Sequence, residues 1–119
     1  MKTILLLTKR ILIVAVALAT ASAMADSISD GREIAFKRKG KSGVGNCLAC
    51  HAIAGGDSPG NMGPPLVGIA ERFTNRNDLR LRLYDATQFN PISAMPPFGK
   101  HSILTDAEIE KVIDFLYTL

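Results

Sequence analysis

Two thiols and an imidazole fall within five residues in the run Cys47-Leu48-Ala49-Cys50-His51. C-x-x-C-H is the spacing of covalent c-type haem attachment. Each thiol can add across one vinyl group of the porphyrin to give a thioether, and the adjacent histidine can reach the iron as proximal ligand. Cys47 and Cys50 are the only cysteines of the chain, so attaching one haem uses every thiol. Two other chemistries fit less well. A Cys47–Cys50 redox disulfide wants a thioredoxin-like βαβ context, and no strand-rich run flanks the motif. A zinc site could draw on Cys47, Cys50, His51 and His101, but Cys50 and His51 are adjacent and the remaining spacing fits no finger.

A histidine-bound iron has a sixth position to fill. Methionine is a soft, neutral ligand that favours ferrous iron and raises its potential. Beyond the N-terminal segment the chain has Met62 and Met95. Met95 lies in Ala94-Met95-Pro96-Pro97-Phe98-Gly99, where the prolines stiffen the loop that would carry a ligand. Met62 sits in a glycine-rich turn soon after His51, with little chain available to reach the opposite haem face. Met95 is therefore the expected ligand, with Met62, Lys100, His101 and an open site as alternatives. The proximal histidine also needs an acceptor for its other ring nitrogen. The carbonyl of Pro64, held in Gly63-Pro64-Pro65, is the candidate.

Several elements must position these groups. Asp30 and Glu33 resemble a capping box, which predicts a first helix beginning at Asp30, with Ile34, Ala35 and Phe36 apolar and Gly40 as its stop. Gly40 to Asn46 reads as a flexible approach to the motif. The cluster Arg32, Lys37, Arg38, Lys39 and Lys41 reads as a solvated face. Ile53 to Gly63 is loop, rich in glycines suited to turns and to close approach to a flat ligand. A second helix is predicted from Asn77 to about Ala86, capped by Asn75 or Asn77, because Leu79, Leu83 and Ala86 share a face. Asn90 to Gly99 is an extended, proline-stiffened loop. The last helix is the clearest: Thr105 and Glu108 form a capping box, and Ile109, Val112, Ile113 and Leu116 recur at helical spacing. The fold class is all-α.

The N-terminus reads as a secretory signal. Lys2, Lys9 and Arg10 precede an apolar stretch, Ile11 to Ala19, and small residues follow. That stretch is short for a span of roughly 20 residues. Residues 1–25 are expected to be cleaved after Ala25, or after Ala23, leaving 26–119 as one small domain in the periplasm with no stable membrane insertion. The whole chain carries 14 basic and 11 acidic residues. Three of the basic ones leave with the signal and no acidic one does, so the remaining domain is formally neutral. Such a charge gives no reason to expect a nucleic-acid partner. So small a domain has a limited apolar core, and a buried haem would supply much of its centre.

The order of helix, C-x-x-C-H, Gly-Pro-x-Leu-x-Gly turn, helix, methionine loop and amphipathic C-terminal helix resembles a class I cytochrome c. More narrowly, Gly45-Asn46-Cys47-Leu48-Ala49-Cys50-His51, Pro59-Gly60-Asn61, Gly63-Pro64-Pro65-Leu66, Asn90-Pro91 and Met95-Pro96-Pro97-Phe98-Gly99 resemble SoxX, the monohaem subunit of the SoxAX complexes of bacterial sulfur oxidation. The resemblance runs from about Asp30 to the C-terminus. It implies one haem c held by Cys47 and Cys50, with His51 and Met95 on the iron. It also implies a SoxA-type cytochrome partner in a heterodimer and, indirectly, a SoxYZ-type carrier protein. The reaction it implies joins thiosulfate oxidatively to a carrier cysteine (L-cysteine S-thiosulfotransferase). The catalytic site is expected on the partner, with this chain passing electrons to a downstream acceptor such as another cytochrome c. The alternative is a free-standing periplasmic cytochrome c shuttle.

Overall fold

A computed structural model describes residues 20–36 and 46–119 of the chain. The described residues form helices joined by turns and loops, with no strand among them. Helix α1 covers residues 20–36, α2 is Ile69–Arg72, α3 is Arg76–Tyr84 and α4 is Asp106–Leu116. Single 3-10 turns occupy Cys47–Ala49 and Ala86–Gln88.

The first helix departs from expectation. Asp30 does not begin it; the helix is already formed at residue 20 and runs through Asp30. Ala21, Ala23 and Ala25 are strong helix formers, and no proline or glycine interrupts the run before Gly31. Asp30 instead pairs with Lys111 of α4 at 2.6 Å. Residues 20–26 are exposed throughout, and burial begins at Ser27. Gly40 and the basic positions 37 to 41 lie outside the described residues.

Helices α1 and α4 cross at Gly31. A Cβ there would run into the carbonyl oxygen of Lys111 and lie 3.0 Å from the Val112 nitrogen, so the crossing is close enough to require glycine. Beside it the Phe36 and Phe115 rings meet edge-on, with centroids 5.9 Å apart. Ser27 donates to Asp114 at 2.5 Å, which brings the start of the packed region onto the same helix.

Helix α4 follows its sequence pattern closely. The Thr105 side chain accepts from Glu108 N–H, and the Glu108 carboxylate accepts from Thr105 N–H, so both halves of the capping box are made. Ile109, Val112, Ile113, Phe115 and Leu116 are buried on it. Helix α3 is a helix as the sequence indicates, capped by Asn75, whose side chain accepts from Asn77 N–H. It ends at Tyr84 rather than Ala86. Asp85 leaves the helix as C-cap and then opens the 3-10 turn by accepting from Thr87 N–H. Leu79 and Leu83 are buried in one cluster with the apolar residues of α4, and Ala86 is buried as well. On the outer side, Arg76 and Arg80 pair with Asp106, Glu110 and Asp114 of α4. These are largely solvent-facing pairs, which align the helices more than they stabilise them.

Candidate haem-attachment site

The motif is wound into one tight turn. The Asn46 side chain accepts from Ala49 N–H at 3.2 Å, capping the 3-10 helix that starts at Cys47. The Cys47 carbonyl then accepts from both Cys50 N–H and His51 N–H, at 3.1 and 2.9 Å. Cys47 and Cys50 therefore sit one turn apart, with His51 immediately beyond. Both cysteines carry thiols rather than a disulfide.

Burial pushes the Cys47 thiol up to about 11, with hydrogen bonding to its backbone pulling the other way and Cys50 adding to the rise. A redox-active C-x-x-C cysteine requires the opposite, a thiol lowered toward neutrality. The described residues also contain no group of three or more His, Cys, Asp or Glu placed to hold a metal ion by themselves. The donor set therefore fits thioether attachment with histidine ligation better than it fits disulfide exchange or zinc.

The loop after the motif folds back on it. Gly60 N–H donates to Leu48 O at 2.8 Å, Gly63 N–H to Cys50 O at 2.7 Å, and Leu66 N–H to Ala52 O at 2.9 Å. This return brings Pro64 to the histidine: Nδ1 of His51 lies 2.7 Å from the Pro64 carbonyl oxygen. A carbonyl only accepts, so Nδ1 carries the proton and the lone pair of the neutral ring is on Nε2. The contact pairs the two residues named from the sequence, and it leaves the Nε2 lone pair available to a metal.

Three features of the site were not legible in the residue pattern. Gly60 and Gly63 are small because of the protein itself. A Cβ on Gly60 would strike Ala49 O, and one on Gly63 would lie 2.6 Å from His51 Nδ1 and 2.8 Å from Nε2. Arg72, on the short helix α2, donates to Pro65 O at 3.1 Å and to Val67 O at 3.4 Å, tying down the segment that carries Pro64. Helix α2 itself follows Gly68, whose left-handed φ of 57° favours glycine. The clearest available signal for it was that glycine.

Met95 and Met62 differ sharply. Met95 is half-buried and packs against the apolar core, whereas Met62 is 74% exposed. The Met95 loop is anchored at both ends. Asn90 N–H donates to Ala86 O at 3.1 Å, while Gly99 and Lys100 N–H both donate to Tyr84 O at 3.2 and 3.1 Å. His101 is exposed, and its N–H donates to Pro97 O.

Residues 27–116 match the family described as "Cytochrome C oxidase, cbb3-type, subunit III". The chain belongs to this cytochrome c family. The matched region covers α1 from the onset of burial, the motif turn, the Pro64 loop, the Met95 loop and α4. The small all-α fold is that of a class I cytochrome c, whose domains carry haem c and transfer electrons. A relative named "Uncharacterized lipoprotein" from Aquifex aeolicus (strain VF5) is 35% identical over 86 residues. That alignment covers 69% of this chain and 40% of the relative, so the chain spans less than half of the relative's length. No helix among the described residues of this cytochrome c is long and apolar enough to cross a membrane.

Proposed function

We propose that this chain is a monohaem electron-transfer subunit of the SoxX type, acting in the periplasm after removal of residues 1–25. Cys47 and Cys50 would hold its haem, and His51 and Met95 would bind the iron. The observation that carries the haem reading is the His51–Pro64 bond at 2.7 Å, because it fixes the tautomer that coordinates through Nε2. Haem supplies one reversible iron electron.

The protein's part is to hold that electron's site fixed. Cys47 and Cys50 anchor the group from one turn, Pro64 orients the proximal ring, and Gly63 lets the ring seat. The Met95 loop supplies a neutral sulfur, which favours the reduced state. With His51 and Met95 both on the iron and both thiols taken up by the haem, the chain would offer substrate neither an open metal position nor a thiol. This division of labour supports a role in accepting electrons from a SoxA-type partner and passing them on, with thiosulfate chemistry on that partner and the sulfur carried by a SoxYZ-type protein. The motif strings around residues 45–51, 59–66 and 90–99 are what favour SoxX over cytochromes c at large.

The matched family's description favours one other reading: an electron carrier to a terminal oxidase. Affinity purification of the tagged protein from its native periplasm separates the two. A stoichiometric second haem protein with its own C-x-x-C-H and an additional cysteine supports the SoxAX reading. Co-purification with oxidase subunits, or a lone cytochrome under mild washing, contradicts it.

A further inference from the structure

Asp85 is a buried charge that haem attachment does not explain. It is 1% exposed, and a carboxylate so placed is costly unless it is paired and hydrogen-bonded. One oxygen accepts from Thr87 N–H at 3.1 Å and from the Thr87 hydroxyl. The other accepts from Lys100 Nζ at 2.8 Å. Lys100 is itself about half exposed, so its ammonium did not need a buried partner to be stable. Fixing where Lys100 sits gives the pairing a use.

The two residues bracket the Met95 loop. The chain leaves α3 at Asp85, makes the 3-10 turn Ala86–Gln88 and enters the loop with Asn90 tied to Ala86. It returns at Gly99 and Lys100, whose amides both bind the Tyr84 carbonyl. Gly99 packs so close to the Tyr84 ring that a Cβ would lie only 2.8 Å from Cγ and Cε2, so the return cannot be displaced outward without losing this fit. Between these ends, Pro91, Pro96 and Pro97 limit backbone freedom, and Met95 N–H reaches the Ser93 hydroxyl at 3.3 Å. A stiff segment with clamped ends moves mainly when a clamp opens.

We propose that Asp85 is a positioning residue for Met95: its ion pair with Lys100 closes the base of the methionine loop and sets how readily the thioether yields the iron. This rests on the reading of Met95 as axial ligand. Asp85 acts through Lys100 and the loop backbone and does not itself touch the haem.

The test uses ferric holoprotein and exogenous imidazole, which competes for the methionine position. Loss of the far-red thioether-to-iron charge-transfer band reports displacement. Asp85→Asn and Lys100→Gln are each expected to raise the apparent imidazole affinity about tenfold, the scale of one hydrogen bond to a charged group. The double variant should be no weaker-holding than the worse single one, because both remove the same contact. Lys100→Gln keeps the test sound if Asp85→Asn folds poorly, since Lys100 is at the surface and glutamine brings no sulfur to the iron. Asp30→Asn breaks a pair of similar length between α1 and α4 and should leave the affinity unchanged. Native-like imidazole affinity in Asp85→Asn and Lys100→Gln, with the band present and abolished by Met95→Leu, overturns the positioning role alone. Absence of the band in the native protein, or its survival in Met95→Leu, overturns the Met95 reading and this inference together.

Discussion

The His51 ring is held by Pro64 on one nitrogen and seated against Gly63 on its flank. The Nδ1-to-carbonyl distance is 2.7 Å, and the glycine leaves no room for a Cβ beside the ring. Consecutive residues of one loop thus set both the tautomer and the placement of the His51 ring.

Gly63→Ala should therefore damage the site more than the fold. The added methyl must push the imidazole off the Pro64 carbonyl, an overpacking cost of about 1–3 kcal/mol. The expected result is a lower yield of covalently loaded protein and a reduction potential displaced from native, with α4 helicity unchanged by circular dichroism. Native loading and potential in this variant would show that the ring has more freedom than the close approach implies.

Gly31→Ala tests the helix crossing instead. Its Cβ meets the backbone of Lys111, which has no flexible end to move aside. Separating α1 from α4 should cost about 3 kcal/mol, read as a lower denaturation midpoint. The axial-ligand spectrum of the molecules still folded should be native.

Asp85 gives a pH signature. The Lys100 ammonium, followed by the Thr87 hydroxyl, holds its carboxyl down at about 2, against about 3.9 in an unfolded chain. The folded protein therefore binds fewer protons than the unfolded one in that interval, and stability falls as pH falls. The contribution of Asp85 is complete above about pH 4 and disappears as pH drops through about 2. Asp85→Asn should be less stable than native at pH 7, with the gap narrowing below pH 4 and closing near pH 2 in urea unfolding. A gap constant from pH 7 to pH 2 would mean the carboxylate's charge is not what stabilises the fold.

Cys47→Ser/Cys50→Ser should lack covalent haem and lack a cooperative thermal transition. The apolar core is carried by α1, the shorter helices and a few loop residues such as Ile53, Phe98 and Leu104, little for a domain of this size. A sharp, cooperative melt of this variant without haem would contradict that expectation.

The parts legible in the sequence were those with local causes. The Thr105–Glu108 box and the spacing of Ile109, Val112, Ile113 and Leu116 specify α4 without tertiary help. Cys47, Cys50 and His51 are rare residue types at fixed spacing, and the Pro64 contact follows from needing a rigid acceptor near the histidine. Helix α1 starts ahead of its apparent cap because Asp30 and Glu33 imitate one while the alanines before them carry the helix on. Other features depend on residues distant in sequence. Gly31 is small because of Lys111, Gly99 because of Tyr84, and Asp85 is buried because Lys100 returns to it. Arg72 acts on two carbonyls just upstream, but only once α2 has turned it toward them. No periodicity announces such pairings.

Covalent haem attachment is read most directly from the intact mass of the protein, produced in a host that attaches c-type haem, together with a titration of its thiols under denaturing conditions. The expected mass is that of the mature chain plus one haem, with no reactive thiol at Cys47 or Cys50. Two titratable thiols, or a Cys47–Cys50 disulfide on a chain of unmodified mass, would contradict it.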